Sequence, residues 1–312
     1  MKGGLITCLA LATAGILGTA GLAPARAQTP DSGRPRVRAA PVISGGGATR
    51  ARAAIHLKPI TYRVFAIRYG TTPDVPTRNF VPDADSARRM DLSFMVWLLR
   101  GSDGRNVLVD AGFYQPREVA QWRVVDFVLP SRAVARAGVA PEEVSDLIIT
   151  HAHFDHDGGM DLFPRARIWV QREEYDSATA GPGRRGEAGM TQAAAAELVR
   201  FRQQGRVQLI DGESEILPGI RVFPHGGHTW GSQYLAVATR AGTVVIASDN
   251  VPTYENLARH LPLPLAADII ANLRAQEQML KLAARPDLVV PGHDPDVFRR
   301  FPKPGNGIAR ID

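Results

Sequence analysis

The 312-residue chain has a single cysteine, Cys8. No intrachain disulfide can form, and a multi-ligand metal site would have to be built from histidine and carboxylate. Aromatic residues are scarce, at 7%. None interleaves with Arg34, Arg36, Arg38, Arg50 and Arg52, which argues against a nucleic-acid stacking platform. The formal net charge of +6 therefore reads as a solvated basic tail. Charge is also missing from Leu5 to Leu22, an apolar run that follows Lys2 and precedes the A-x-A pattern Ala25-Arg26-Ala27. That order predicts a secretory signal over 1–27 rather than a membrane anchor, because the run is rich in Gly, Ala and Thr. No lipobox surrounds Cys8. The expectation is a periplasmic or secreted protein, cleaved near Ala27 and free of the membrane afterwards.

Residues 28–58 are rich in Pro, Gly, Ser, Arg and Ala and cannot bury much apolar surface, so this stretch is predicted to be a disordered linker. The folded domain is expected over 59–312. Strands are predicted at Thr61 to Arg68, Leu92 to Leu99 and Asn106 to Asp110, the last two as a hairpin around Gly101 to Arg105. Short helical pieces follow at Pro130 to Gly138 and Pro141 to Ser145, then a buried strand at Leu147 to Thr150. A strand at Arg167 to Val170 precedes a helix at Thr191 to Gln204. Strands return at Val207 to Ile210, Ile220 to Phe223, Tyr234 to Thr239, Thr243 to Ala247 and Leu288 to Val290. Ile269, Leu273 and Leu280 share one face of a late helix. Two successive sets of strands and helices predict two sheets packed face to face with helices outside.

The chemistry concentrates in Thr150 to Gly159, T-H-A-H-F-D-H-D-G-G. His151 and His153 are two apart, so an extended stretch puts them on one side. Asp155 and His156 follow one turn later and can serve a neighbouring point. Imidazole with carboxylate suits Zn²⁺ and related divalent ions. His228, Asp249 and His293 each follow a predicted strand, which is where a site between sheets would collect further ligands. A purely structural role for the first four is improbable, because each would need its own partner once buried. His225 reads as solvated or supporting, Asp157 as a cap on the turn, and His56 and His260 as ordinary histidines.

H-x-H-x-D-H followed by separate His, Asp and His resembles the metallo-β-lactamase superfamily, and Val107 to Gly112 resembles its early strand and D-x-G turn. The resemblance runs from about Ile60 to Asp312 and is nearest to the N-acyl homoserine lactonases. It implies an α/β fold, the αβ/βα four-layer sandwich. It implies that His151, His153 and His228 hold one divalent ion, that Asp155, His156 and His293 hold a second, and that Asp249 bridges them. Asp110 would be a structural or supporting residue. In two-metal hydrolases the ions stand about 3.5–4 Å apart and share a hydroxide that attacks a carbonyl. Zinc is the default, and the same ligands accept Fe, Co or Mn. Asp155 would also return a proton to the leaving alkoxide of an opened lactone. Phe154 would line the acyl pocket or fill the core.

One position departs from that pattern. Several lactonases carry a tyrosine three residues after the bridging aspartate, where this chain has Pro252. Tyr254, two residues later, is either brought back to the substrate carbonyl by a loop change or left at the surface. The leading expectation is a hydrolase that opens N-acyl homoserine lactones, that is, a quorum-quenching enzyme with a small-molecule lactone partner and no nucleic acid. Homodimer formation is left open. The acyl-chain pocket is expected from Tyr175 to Met190 and the loop after Asp249. The alternatives are a β-lactam, thioester or phosphotriester substrate in the same site, or a non-catalytic metal or ligand carrier. Asp249 speaks against the three-histidine secreted β-lactamases, and the short chain after His293 against a glyoxalase II-type thioesterase. His153, where the di-iron redox branch carries Glu, speaks against that branch.

Overall fold

A computed structural model describes residues 59–180 and 189–312. The expected signal with its Ala27 cleavage site, the linker, His56 and the middle of the 175–190 segment lie outside the described residues. The elements in order are β1 (Tyr62–Pro76), β2 (Arg89–Gly101), β3 (Asn106–Val109), α1 (Pro116–Gln121), α2 (Pro130–Arg136), β4 (Asp146–Ile148), α3 (Phe154–Asp157), β5 (Arg167–Gln171), α4 (Arg172–Thr179), α5 (Gln192–Gln203) and β6 (Val207–Ile210). Then come β7 (Ser214–Leu217), β8 (Ile220–Phe223), β9 (Tyr234–Thr239), β10 (Gly242–Ser248), α6 (Tyr254–Arg259), α7 (Ile269–Leu282), β11 (Val289–Pro291), α8 (Val297–Arg300) and β12 (Ile308–Arg310).

The strands form a seven-stranded sheet, β12-β1-β2-β3-β4-β5-β6, and a five-stranded sheet, β11-β10-β9-β8-β7. Between them lies a core built from both, including Trp97, Leu99 and Val109 of the first and Val222, Val237 and Ile246 of the second. A second core, with Leu98, Leu147 and Ile168, packs the outer face of the first sheet against Val134 of α2 and Leu198 and Phe201 of α5. A third packs Val245 and Ala247 against Ala275 and Met279 of α7. The layers are therefore αβ/βα, as expected. β4, β5 and β10 carry near-continuous apolar runs because both faces of their sheets are covered.

The expected boundaries shift where local chemistry overrides the apolar pattern. β3 stops at Val109 because Asp110 takes a left-handed φ of 60°, which aspartate tolerates. Pro141 to Ser145 contracts to a 3₁₀ turn at Pro141–Glu143. β1 runs on to Pro76 through register shifts at Arg68/Gly70 and Thr72/Val75. Bulges re-aim side chains, and here the Tyr69 hydroxyl donates to the backbone carbonyl of Asp155 at 3.1 Å. β7, α3 and β12 carry too short a pattern to stand out. The expected apolar face of α7 is corrected: Ile269 and Leu280 are exposed, and the buried face holds Asn272, Ala275, Gln276 and Met279. Polar side chains are buried there because they bond loop backbone. Asn272 donates to the carbonyls of Gly226 and Asn250, each at 2.8 Å, and so ties together two loops that flank His228 and Asp249.

Parallel pairing of β3 with β4 and of β10 with β11 sends the carboxyl ends of these four strands to one edge between the sheets. The inter-sheet core holds that edge in register. Trp97 is fully buried within it. Trp97→Ala is expected to cost about 3–5 kcal/mol, read as a lower denaturation midpoint in guanidinium chloride. A loss under 1 kcal/mol would contradict this packing.

Candidate metal centre

Seven side chains converge at that edge. His151 follows β4, His153 is the residue before α3, and Asp155 and His156 sit on α3. Asp249 follows β10 and His293 follows β11, while His228 lies in the loop after β8. His151, His156, His228, Asp249 and His293 are all buried, and Asp155 is nearly so. Their donor atoms fall into three overlapping groups, each within 4.8 Å: His151, His153 and His228; His151, His156 and Asp249; Asp155, His156 and His293.

Asp249 divides its two oxygens between the outer groups. Oδ2 lies 3.9 Å from His151 Nε2 and 3.6 Å from His228 Nε2. Oδ1 lies 3.2 Å from His156 Nε2 and 2.9 Å from His293 Nε2. Asp155 Oδ2 completes the second group, 3.5 Å from His156 Nε2 and 3.6 Å from His293 Nε2. His153 Nδ1 and His228 Nε2 are 3.1 Å apart in the first. The structure thus brings together the residues that the sequence resemblance groups.

The supporting bonds aim these atoms inward. His156 Nδ1 lies 2.8 Å from Asp110 Oδ2. Asp110 also accepts from the Thr150 N–H at 2.8 Å and the Thr150 hydroxyl at 2.9 Å. His293 Nδ1–H donates to the Ser93 carbonyl at 3.0 Å. A histidine that donates through Nδ1 keeps the lone pair of Nε2 for a cation. Gly292 permits the close approach of β11 to β10, since a Cβ there would lie 2.7 Å from Asp249 Oδ1. Asp110 and Ser248, at strand ends beside the cluster, both hold left-handed φ angles, 60° and 50°. Such angles cost energy and persist at functional sites.

The donor set fits divalent ions. His151 Nε2, His156 Nε2 and Asp249 Oδ1 are buried with no hydrogen-bond partner among the described residues, a costly arrangement unless a cation satisfies them. Burial, then the neighbouring His156, His228 and His153 rings, hold the His151 pKa well below its ordinary value. Burial pushes His228 down to about 3. Both are thus neutral, lone-pair-bearing ligands at physiological pH. Burial alone would raise Asp249, but the His293 and His156 rings hold it well below the usual carboxylate range.

A family model for the metallo-beta-lactamase superfamily matches residues 93–293. The chain belongs to this superfamily. Within it, an N-acyl homoserine lactonase of Bacillus sp is 28% identical over 193 residues, covering 55% of this chain and 70% of that protein. The N-acyl homoserine lactonase AiiA of Bacillus thuringiensis subsp. kurstaki is 31% identical over 128 residues, 41% of this chain and 46% of AiiA. The chain thus matches about half the length of the Bacillus thuringiensis lactonases. A solved quorum-quenching N-acyl homoserine lactone lactonase superposes with a TM-score of 0.64 at 21% identity, covering 78% of this chain and 97% of the other, which shows a shared fold.

The site departs from two expectations for this metallo-β-lactamase-like domain. Tyr254 is not brought to the ligands. Thr253 caps α6 by accepting the Asn256 N–H, so the helix begins at Tyr254. The ring packs in the inter-sheet core under the Arg300 guanidinium, 3.8 Å from its centroid. The Tyr254 N–H donates to Asp294 at 2.9 Å, and the hydroxyl has no hydrogen-bond partner among the described residues. Asp157 does not cap the turn either, since neither carboxylate oxygen has a hydrogen-bond partner there. His225 and His260 are exposed, away from the cluster.

Phe154 is half-buried, stacked on Trp122 with centroids 5.5 Å apart and set edge-on to Phe113 at 5.0 Å. It lines a cavity of about 400 Å³ with Tyr114, Gln115, Met160 and Thr191. The sequence does not single out the aromatics that gather beside Phe154 and the His293 ring. Phe94 meets Trp122 at 6.1 Å and the His293 ring at 5.9 Å, and Phe80 lies 6.4 Å from His293. Phe94 lies inside a long apolar strand and Phe80 in a Pro/Asp-rich loop, so neither carries a local motif. Because bound ions stabilise the native state by mass action, chelation is expected to remove about 2.7 kcal/mol for an ion present at 100 times its Kd. Calorimetry should show a lower Tm after chelation and recovery on adding Zn²⁺. An unchanged Tm in protein proved free of metal would rule out a structural contribution from the ions.

Proposed function

We propose that the chain is a secreted dinuclear-metal hydrolase that opens the lactone ring of N-acyl homoserine lactones. The division of the Asp249 oxygens between two histidine groups carries this reading. His151, His153, His228 and Asp249 would hold one divalent ion, and Asp155, His156, His293 and Asp249 the other, with Zn²⁺ favoured by the nitrogen-rich set. Two such ions, when bound, make water nucleophilic near neutral pH and polarise a carbonyl. Asp155, beside His156 and His293, would carry a proton from the incoming water to the ring oxygen as it leaves. Phe80, Trp122 and Phe154 are half-buried beside the ligands and offer an apolar wall to an acyl chain. The lactonase names of the curated relatives support the substrate class.

Assay of the metal-loaded protein against acyl homoserine lactones, β-lactams, a thioester and a phosphotriester is expected to give turnover with the lactones first. Phe154→Ala should lower kcat/KM for long-chain lactones by about 10-fold or more, the loss of 1–3 kcal/mol of apolar contact, and spare short-chain ones. Turnover of another class with no lactone opening would replace the substrate reading and leave the metal centre intact. Export is part of the proposal, resting on Lys2, the run from Leu5 to Leu22, and Ala25-Arg26-Ala27. Mass spectrometry of the periplasmic protein should show a chain beginning at Gln28, and recovery of the full-length chain from the cytoplasm alone would reject it.

A further inference from the structure

Glu174 sits in the first turn of α4 and is fully buried, with no lysine or arginine bonded to it among the described residues. Its carboxylate accepts three hydrogen bonds instead. Oε1 accepts from the Ala152 N–H at 2.7 Å. Oε2 accepts from the Thr229 hydroxyl at 2.7 Å and from the Gly231 N–H at 3.0 Å. Ala152 lies between His151 and His153. Thr229 immediately follows His228. The donors thus belong to the two backbone segments that present the three-histidine group, segments otherwise separated by more than seventy positions of chain. Gly231 is required for this approach, since any Cβ there would overlap the Glu174 backbone. The start of a helix favours a carboxylate, which helps to keep the charge in place.

The second ligand group is held by other means. Asp110 fixes His156, the Ser93 carbonyl fixes His293, and the Tyr69 hydroxyl fixes the backbone at Asp155. No hydrogen bond from Glu174 reaches those residues in the described structure.

We propose that Glu174 is a positioning residue for one metal position only. It clamps the His151–His153 segment to the His228 loop, and so sets the spacing of the three imidazoles and the affinity of the ion they hold. The inference rests on the two-ion reading above but not on the lactone substrate. A glutamine is nearly the same size but offers one acceptor oxygen. Its amide NH₂ would face either the Ala152 N–H or the Gly231 N–H, donor against donor. The arrangement of the three histidines is expected to loosen while the second group stays as it is.

The test is competition between a chelator and Co²⁺ in the full chain, with ions counted per chain and each dissociation constant fitted. Visible absorption of bound Co²⁺ reports the geometry at each position. In Glu174→Gln one of the two ions is expected to bind about 10–100-fold more weakly, the usual effect of losing a residue that orients ligands. The absorption of that ion should change, and the other ion should be unaffected. Two ions bound as tightly as in the unsubstituted protein would overturn the proposal. Equal weakening of both would overturn it too, since it would reflect general loosening. Should Glu174→Gln fail to fold, Thr229→Val removes one donor alone. Weakening of the same single ion by a few-fold would then support the clamp, and unchanged binding would reject it. Fewer than two ions in the unsubstituted protein would overturn the two-ion reading and the clamp with it, and is told apart because no substitution is involved.

Discussion

Five imidazoles and two carboxylates packed at one sheet edge dominate the energetics of this molecule. Taking a single charged group out of water costs several kcal/mol even after relaxation, and unpartnered neutral donors and acceptors add about 1–3 kcal/mol each. Apolar packing cannot repay a cluster in which His151 Nε2, His156 Nε2 and Asp249 Oδ1 all lack a hydrogen-bond partner among the described residues. Divalent cations can, because they satisfy lone pairs and neutralise carboxylates together. Much of the surrounding structure then reads as what is needed to hold such ligands ready. Four strands end at the same edge, glycine lets β11 approach Asp249, and left-handed residues turn the chain at Asp110 and Ser248.

That constraint explains why the candidate ligands are legible in the sequence. A metal needs several donors of restricted chemistry, so His151, His153, Asp155 and His156 must crowd one short segment after a buried strand. His228, Asp249 and His293 are individually ordinary. They became legible because strand patterns precede them, and a strand that ends at a site delivers the next residues to it. The layer order was legible for a related reason. Long runs such as Leu92 to Leu99 have only one stable place, inside a sheet covered on both faces.

What escaped the sequence is whatever tertiary contact decides. Tyr254 is two residues from a position where its hydroxyl would meet substrate, yet the Thr253 cap starts a helix there and turns the ring under Arg300. The buried face of α7 contradicts its apolar periodicity, because Asn272 earns burial by bonding the loops around His228 and Asp249. Phe80, Phe94 and Trp122 come from separate stretches of the chain and gather beside His293 and Phe154 only after folding. No period or motif marks them.

The two ligand groups differ in how they are held, and that difference follows from chain order. Asp155 and His156 lie on one turn of helix, already fixed relative to each other, so Asp110 and the Ser93 carbonyl need only orient the rings of His156 and His293. His151 and His153 lie on extended backbone, and their third partner arrives from the other sheet. Ring orientation alone cannot fix that distance. A bond between backbones can, and Glu174 supplies one from a helix that belongs to neither segment. The stiffness of one loop-to-loop contact therefore bears on the three-histidine position, while Asp110 and the Ser93 carbonyl hold the other group by separate bonds.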